Sequence, residues 1–376
     1  MLAVFALRRA VLVVAAMLPR RPVARTRAAL PSVTLVVPAC NEAATIERTL
    51  AAIARLDYPR DALDVVLVDD CSDDRTGEVL ARWAADRPST RVLHLARRSG
   101  KPAAVNAAIA AGRATDLVAV VDADVRPRAD YLRRVAGACS EDGVGAAVGF
   151  LAPENALASV IARYASVETW VHQLVTSAGK DRLDLNPPAL GGAAVFRRGA
   201  IEQVGWFGPG LFGDDVRATV ALTRAGWRTR FVREAVAETA VVSRADAYWR
   251  QHVRWARDLT AAARGQPPVA AGVPLRRRIE AWMLAAGYAD RLAFALVAML
   301  AAGGRLSLWV PAAYVALTAI EVACAVVLAG AARHLPRLVP ATAALFPLDV
   351  LATAVASAAD LFRRPRVLPA PERTAD

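Results

Sequence analysis

Residues 117–125 read Leu-Val-Ala-Val-Val-Asp-Ala-Asp-Val, an apolar run that stops on two carboxylates, Asp122 and Asp124. Four other short runs of the same kind precede or follow it: VTLVV at 33–37, LDVVLV at 63–68, RVLHL at 91–95 and VGAAV at 144–148. Strands this short, apolar throughout rather than alternating, suit a parallel sheet covered on both faces. The Ala-rich stretches between them are long enough for crossover helices, so the pattern reads βαβαβ. The expectation is an α/β domain over residues 31–243 with a Rossmann-like, mostly parallel sheet.

Such a sheet binds ligands beyond the carboxyl ends of its strands, and here those ends are acidic. Asp69 and Asp70 stand in LVDDCSDD at 67–74, and Asp122 and Asp124 in VVDADV at 120–125. The first glycine of the chain is Gly77, so no GxGxxG turn follows the first strand, and no Walker A loop occurs anywhere. A standard dinucleotide or P-loop site is thereby excluded. Acids cannot hold phosphates directly, but they can hold a hard divalent cation that bridges a diphosphate. A spacing of two at the end of a strand would put Asp122 and Asp124 on one face. Taken alone, Asp122 could equally cap the following helix, and the run at 69–74 could be an Asx-rich turn leading into a helix near Arg75.

Two further clusters carry chemistry. In GDDVRATVALTRAGW at 213–227, Val216, Val220, Leu222 and Thr223 suggest an amphipathic helix with Asp214 and Asp215 in its first turn. The helix dipole favours negative charge there, and one of two adjacent acids near a cation could serve as a general base. In QHVRW at 251–255, Gln251, Arg254 and Trp255 fall at i, i+3 and i+4 and so share a helix face. An amide, a guanidinium and an indole suit a sugar or a diphosphate, whereas Trp249 reads as a membrane-interface anchor.

Composition bounds the rest. The 376 residues are 56% hydrophobic and 6% aromatic, too apolar for a disordered or collagen-like chain. The net charge is +12, and of 47 basic residues only Lys101 and Lys180 are lysines. Residues 1–30 hold six arginines and no acid, and 244–278 hold eight against Asp246 and Asp258, so these two stretches account for the whole excess. Both flank apolar segments, which points to anionic lipid headgroups and not to nucleic acid. Cys40, Cys71, Cys139 and Cys324 form no CxxC and the four histidines do not cluster, so neither a zinc site nor a disulfide framework is expected.

Residues 306–332 and 338–362 are each long enough to span a bilayer, with Glu321 in the first and Asp349 and Asp360 in the second. Residues 281–304 carry Asp290 and Arg291 near their middle. That leaves two choices, an interfacial helix or a span with the pair shielded in a bundle. Arg276–Arg278 before the region and Arg363, Arg364 and Arg366 after it favour the cytoplasm at both ends. Two spans with 281–304 at the interface satisfy this. Residues 1–18 hold Arg8 and Arg9 in mid-segment and read as a weak anchor or interfacial helix. The expected division is therefore a basic anchor (1–30), a catalytic domain (31–243), interfacial helices with the QxxRW motif (244–280), membrane helices (281–362) and a polar tail (363–376).

In order along the chain, VPACNE (37–42), DDCSDDRT (69–76), GKPAAVNAA (100–108), DAD (122–124), GGAAVFRR (191–198), DD (214–215) and QHVRW (251–255) resemble the family 2 glycosyltransferases. The likeness is greatest to the membrane-bound processive type that includes cellulose, hyaluronan and poly-N-acetylglucosamine synthases. The resemblance covers roughly residues 31–260. It implies a GT-A fold and a nucleotide-diphosphate-sugar donor, with an inverting transfer to a polysaccharide, glycolipid or other hydroxyl acceptor. By position it implies Pro38, Asn41, Glu42, Asp69 and Asp70 at the nucleotide, Lys101 near the diphosphate and Asp122 beside ribose and metal. Asp124 would ligate Mg²⁺ or Mn²⁺, Asp215 beside Asp214 would be the base, and Gln251, Arg254 and Trp255 would cover donor and acceptor. It implies a multi-pass protein of the cytoplasmic membrane with its catalytic domain facing the cytoplasm, and leaves room for a partner subunit.

Two features depart from the processive type: Gly213 stands where Thr-Glu-Asp usually begins, and the membrane portion is small. The alternatives are a nucleotidyltransferase, which would carry a Gly-rich basic loop after its first strand, and a non-catalytic membrane scaffold, which would have lost one of the acids.

Overall fold

A computed structural model describes residues 2–19, 30–189, 192–207, 215–262, 270–286 and 289–362. Its centre is an eight-stranded sheet, and all five predicted runs are strands within it. They are β1 (Val33–Ala39), β2 (Leu63–Asp69), β3 (Thr90–His94), β4 (Leu117–Val121) and β6 (Val144–Pro153). The remaining strands are β5 (Arg126–Pro127), β7 (Ala193–Arg197) and β8 (Arg228–Thr239). The spatial order is β3-β2-β1-β4-β7-β6-β8-β5.

The first half, β3-β2-β1-β4, is wholly parallel. The second half is mixed, because β7 runs antiparallel to both β4 and β6. The expectation of a mostly parallel sheet thus holds for the half that carries the acids. Strand β8 was not expected: its run RTRFVREAVAET is broken by charges. Arg230 is nonetheless buried against Asp181 (2.8 Å) and Glu141.

Crossover helices cover both faces. On one face lie α2 (Ile46–Ile53), α3 (Thr76–Ala84) and α5 (Tyr131–Cys139), whose Ile46, Leu50, Leu80, Leu132 and Val135 meet Val33, Leu35, Val37, Val65 and Leu67. On the other face α4 (Lys101–Ala111) lays Ala104, Val105 and Ala108 against Val36, Val66 and Val118. The period of two along β1 and the 3.6-residue period of the helices produce these two cores. Tyr131, fully buried, ties α5 to the mixed half: its hydroxyl donates to Ala193 O (2.6 Å) and accepts from Gly149 N (3.1 Å). Gly149 has no room for a side chain, since a Cβ there would lie 2.2 Å from Ala235 O.

The second core continues into the C-terminal helices. A long helical rod runs through α6 (Val160–Trp170), a π-helical turn (Val171–Ser177) and α7 (Ala178–Leu183). Short α8 (Arg198–Gln203) and α9 (Asp215–Arg224) follow, then α10 (Ala245–Ala262), α11 (Leu275–Ala286), α12 (Ala289–Ala302), α13 (Trp309–Leu328) and α14 (Leu335–Phe362). Val322, Ala325 and Val326 of α13 and Leu338 of α14 belong to the same cluster as Leu174 and Val175 of the rod. Among the described residues, two stretches are long and apolar enough to cross a membrane, Trp309–Leu328 and Ala332–Ala352, with only 28% and 22% of each span buried. A helix of the soluble core would bury far more. Helix α12, at 14 residues, reaches about 21 Å and falls short of the ~30 Å hydrocarbon layer.

The N-terminal segment is more firmly docked than a weak anchor. It forms α1 (Leu2–Met17), packed on α7, α13 and the π turn. Its two arginines point into the bundle. Arg8 pairs with Glu280 (2.5 Å), which also meets Lys180 (2.9 Å). Arg9 pairs with Asp290 (2.8 Å) and Glu321 (2.9 Å) and donates to Thr318 Oγ1 and Tyr314 OH. Asp290 and Arg291 are therefore shielded, Arg291 by Asp349 of α14.

Arg9→Met would leave Glu321 without its paired cation and Asp290 with only Arg291, 3.7 Å away. We expect about 3–5 kcal/mol of lost stability, measured as a lowered unfolding midpoint in detergent, with Arg9→Lys recovering part of it.

Candidate functional site

The carboxyl ends of β1, β2 and β4 carry the predicted acids, and the loops beyond them are tied together by side chains. Pro38 lies inside β1 and is buried. Pairing of β1 with β4 ends at Val36 and Val120, so the missing N–H of Pro38 costs no ladder bond. Asn41 takes a left-handed conformation (φ 58°), and its Oδ1 accepts from Asp73 N at 2.8 Å. Ser72 Oγ accepts from Asn41 N (3.0 Å) and Thr76 Oγ1 from Glu42 N (2.8 Å). Asp74 in turn accepts from Thr76 N and Oγ1, which holds its carboxyl below the usual range. The Asx-turn expectation for 69–74 is met, and α3 starts one residue after Arg75.

Asp69 and Asp70 are both buried but differently employed. Asp69 accepts from Ser72 N (3.0 Å) and faces His94 Nδ1 at 3.1 Å. Asp70 accepts from the amides of Ser99 and Gly100, each at 2.7 Å, one per carboxylate oxygen. Gly100 turns its N–H inward at φ +83°, a value an L side chain rarely adopts. Asp70 therefore orders the loop that starts α4. Each oxygen keeps a second acceptor position, which is the one that base recognition, as the resemblance implies, would use.

Helix α4 then begins at Lys101, and Lys101 Nζ reaches Asp122 Oδ1 at 2.5 Å. Strand β4 ends at Val121, so Asp122 and Asp124 lie in a turn closed by Val125 N to Asp122 O (3.1 Å), not on alternating strand positions. The one-face expectation from strand spacing is corrected accordingly. Asp122 is about a third exposed and Asp124 is exposed. Burial pushes the Asp122 carboxyl up, Lys101 opposes that, and the charges of Asp124 and Glu42 add to it. Glu42, Lys101, Asp122 and Asp124 are thus one electrostatic group. The ammonium seated on Asp122 occupies a place where positive charge is favoured, so the donor set fits a hard divalent cation held by Asp122 and Asp124.

The remaining predicted residues lie on two packed helices. Asp215 opens α9, as the pattern predicted; Asp214 and the Asp215 side chain lie outside the described residues. Helix α9 packs on α10, which carries Gln251 half-buried and Arg254 and Trp255 exposed, Trp255 by 44%.

Sequence reasoning missed three neighbours of that motif. Glu168 of α6, His252 of α10 and Asp349 of α14 bring their ligating atoms within 4.8 Å of one another. The four histidines do not cluster with one another along the sequence, and the single one in this group meets two carboxylates instead. The available signal was His252 itself, four residues after Tyr248 and inside the QxxRW run. Its carboxylate partners are 84 and 97 positions away in sequence, too far for any spacing rule.

The match to known proteins agrees with this geometry. The family described as "Glycosyltransferase like family 2" matches residues 31–258, more than half of the chain. An N-acetylglucosaminyltransferase of Mesorhizobium japonicum is 35% identical over 238 residues, covering 60% of this chain and 55% of that protein. A probable glycosyltransferase of Bacillus subtilis, YdaM, is 29% identical over 234 residues, covering 61% and 55%. The chain thus spans about half the length of these curated relatives. Among solved structures, a mannosyltransferase of Pyrobaculum calidifontis in complex with GDP-Man and Mn²⁺ superposes with a TM-score of 0.63 at 24% identity, over 96% of this chain and 95% of that one. The fold is GT-A, with acids, lysine and amide-lined loop at the carboxyl edge of its parallel half, and the chain belongs to the family 2 glycosyltransferases.

Proposed function

We propose that the protein is an inverting transferase that moves a sugar from a nucleotide-diphosphate donor to a hydroxyl acceptor at a membrane. The observation that carries this reading is the group Glu42, Lys101, Asp122 and Asp124 at the ends of β1 and β4, facing the loop ordered by Asp70. The wall formed by residues 40–45 and 70–76 receives the nucleoside, and Asn41, Glu42, Asp69 and Asp70 shape it through their loop bonds. Lys101 binds the diphosphate, exchanging Asp122 for phosphate oxygen. Mg²⁺ or Mn²⁺, held by Asp122 and Asp124, would supply charge neutralisation of the departing diphosphate. The complex named for the Pyrobaculum neighbour, GDP-Man with Mn²⁺, supports that combination.

Asp215, at the positive end of α9, takes the proton of the acceptor hydroxyl as it attacks the anomeric carbon. A single displacement inverts that centre, so an α-linked donor gives a β-linked product. Gln251, Arg254 and Trp255 on the neighbouring helix form the lid, with the indole face against a sugar and the guanidinium against phosphate.

The names of the relatives favour a UDP-N-acetylhexosamine donor. The exposed apolar helices α13 and α14, with arginines at 276–278 and 363–366, support a multi-pass protein of the cytoplasmic membrane whose catalytic domain faces the cytoplasm. A carbohydrate or lipid-linked acceptor would then reach the site from the bilayer side.

Donor turnover in nanodiscs, across UDP- and GDP-sugars with Mn²⁺, tests the reading. Asp215→Asn should lower transfer by about 10²–10⁴-fold while leaving donor binding intact; equal turnover in both proteins would sink the base assignment. The raised Asp122 carboxyl must be ionised to hold a cation. Mn²⁺-dependent donor binding should therefore weaken as pH falls, beginning above the usual carboxylate range, and Lys101→Met should move that loss to higher pH. Isothermal titration at each pH reads both effects.

A further inference from the structure

Helix α10 carries the lid residues, but its buried side points the other way, into α6 and α14. There His252, 5% exposed, stacks on Tyr248 with ring centroids 3.7 Å apart and touches the Trp255 ring at 4.9 Å. Its Nδ1 lies 3.0 Å from Tyr248 O, and a carbonyl only accepts, so Nδ1 carries a hydrogen. Its Nε2 lies 3.2 Å from Glu168 Oε2, which also accepts from Tyr248 OH at 3.1 Å. Asp349 of α14, 1% exposed, completes the cluster and is bonded by Arg291 Nε of α12.

Glu168 and Asp349 bring two negative charges and Arg291 one positive, so one proton on the His252–Glu168 pair makes the sum zero. On His252 that proton turns both ring nitrogens into donors, Nδ1 to the Tyr248 carbonyl and Nε2 to the Glu168 carboxylate. The groups facing His252 are Glu168 and Tyr164 from α6, Asp349 from α14 with Arg291 of α12 behind it, and Tyr248 from its own helix. Burial alone would lower its pKa, but the hydrogen bond and charge of Glu168, the Tyr248 carbonyl and Asp349 outweigh it, and the net shift is upward.

We propose that Glu168, protonated His252 and Asp349 form a clamp that fastens the lid helix α10 to α6 and the membrane helix α14, making His252 a positioning residue for Arg254 and Trp255. The link to transfer rests on the glycosyltransferase reading given above; the clamp itself does not. A displacement of reacting groups by about 1 Å can cost on the order of 100-fold in rate, so loosening α10 reaches chemistry without any contact between His252 and substrate. A folded-state pKa above the ordinary ~6.5 means the clamp is closed below that value and opens as pH rises through the shifted one.

The test uses the full chain in nanodiscs. Hydrogen exchange over residues 245–262, corrected for intrinsic rates, and transfer kinetics are followed from pH 6 to 9 for wild type, His252→Gln and Glu168→Gln. In the wild type both α10 protection and kcat should fall as pH rises. Glu168→Gln should move that limb to lower pH. His252→Gln should abolish it, with kcat at pH 7 reduced roughly 10- to 100-fold and donor KM changed less than about threefold. Unchanged α10 protection in His252→Gln overturns the clamp whatever the activity. Loosened α10 with wild-type kcat overturns the positioning role. Loss of α10 protection in the wild type on adding a chelator at pH 7 would show a metal ion among the three ligands and overturn the protonic clamp. Failure of the wild type to bind any donor removes the transferase reading alone, since the exchange arm still decides the clamp.

Discussion

The carboxylate of Asp70 is the interaction on which the rest of the site depends. Buried at the end of β2, it needs donors to both oxygens, and the amides of Ser99 and Gly100 supply them at 2.7 Å each. Those two bonds fix where α4 starts. Lys101 follows immediately, and its ammonium is thereby carried across β1 to Asp122, two strands away in the sheet. The place of the Lys101 ammonium is thus set by hydrogen bonds to a residue other than its ion-pair partner.

Buried charge also organises the helical layer. Both lysines of the chain sit in ion pairs, Lys101 with Asp122 at the site and Lys180 with Glu280 beneath it. Burial would raise the Glu280 carboxyl, but Lys180 and Arg8 hold it down to about 2. Arg9, the next residue after Arg8, does the same work with Asp290 and Glu321, joining α1, α12 and α13. Each pair links segments remote in sequence, so a helix packed in another register would strand a charge in apolar surroundings at a cost of several kcal/mol. The sheet core and the long apolar helices α13 and α14 meet through one continuous apolar cluster. Helices α13 and α14 pack on the rod of α6 and α7, and α14 packs on α10 as well.

Local pattern reached a good part of this. The five apolar runs became strands because each is short and apolar throughout, and crossover helices follow from parallel pairing. Pattern failed where the residue type and its environment disagree. Strand β8 hides Arg230 through two acids from other elements, and α1 hides Arg8 and Arg9 the same way. A charge is scored as exposed until its partner is known, and these partners lie 49 to 312 positions distant. The turn at Asp122 was misread as strand because spacing alone cannot show where pairing stops.

By itself the sequence determined the family, through seven short motifs in order, and the four strands of the parallel half together with β6, and it carries no glycine before Gly77 that could form a phosphate loop after the first strand. These are properties of residue type and short spacing, which the chain carries with it unfolded. Only the tertiary structure decided that Asp70 acts on Ser99 and Gly100, that β7 reverses direction beside β4, and that Glu168, His252 and Asp349 converge behind the lid helix. Each of these depends on the sheet order and on helices that meet across scores of residues. Contacts of that kind are settled by which surfaces can be buried together, not by the order of residues along the chain.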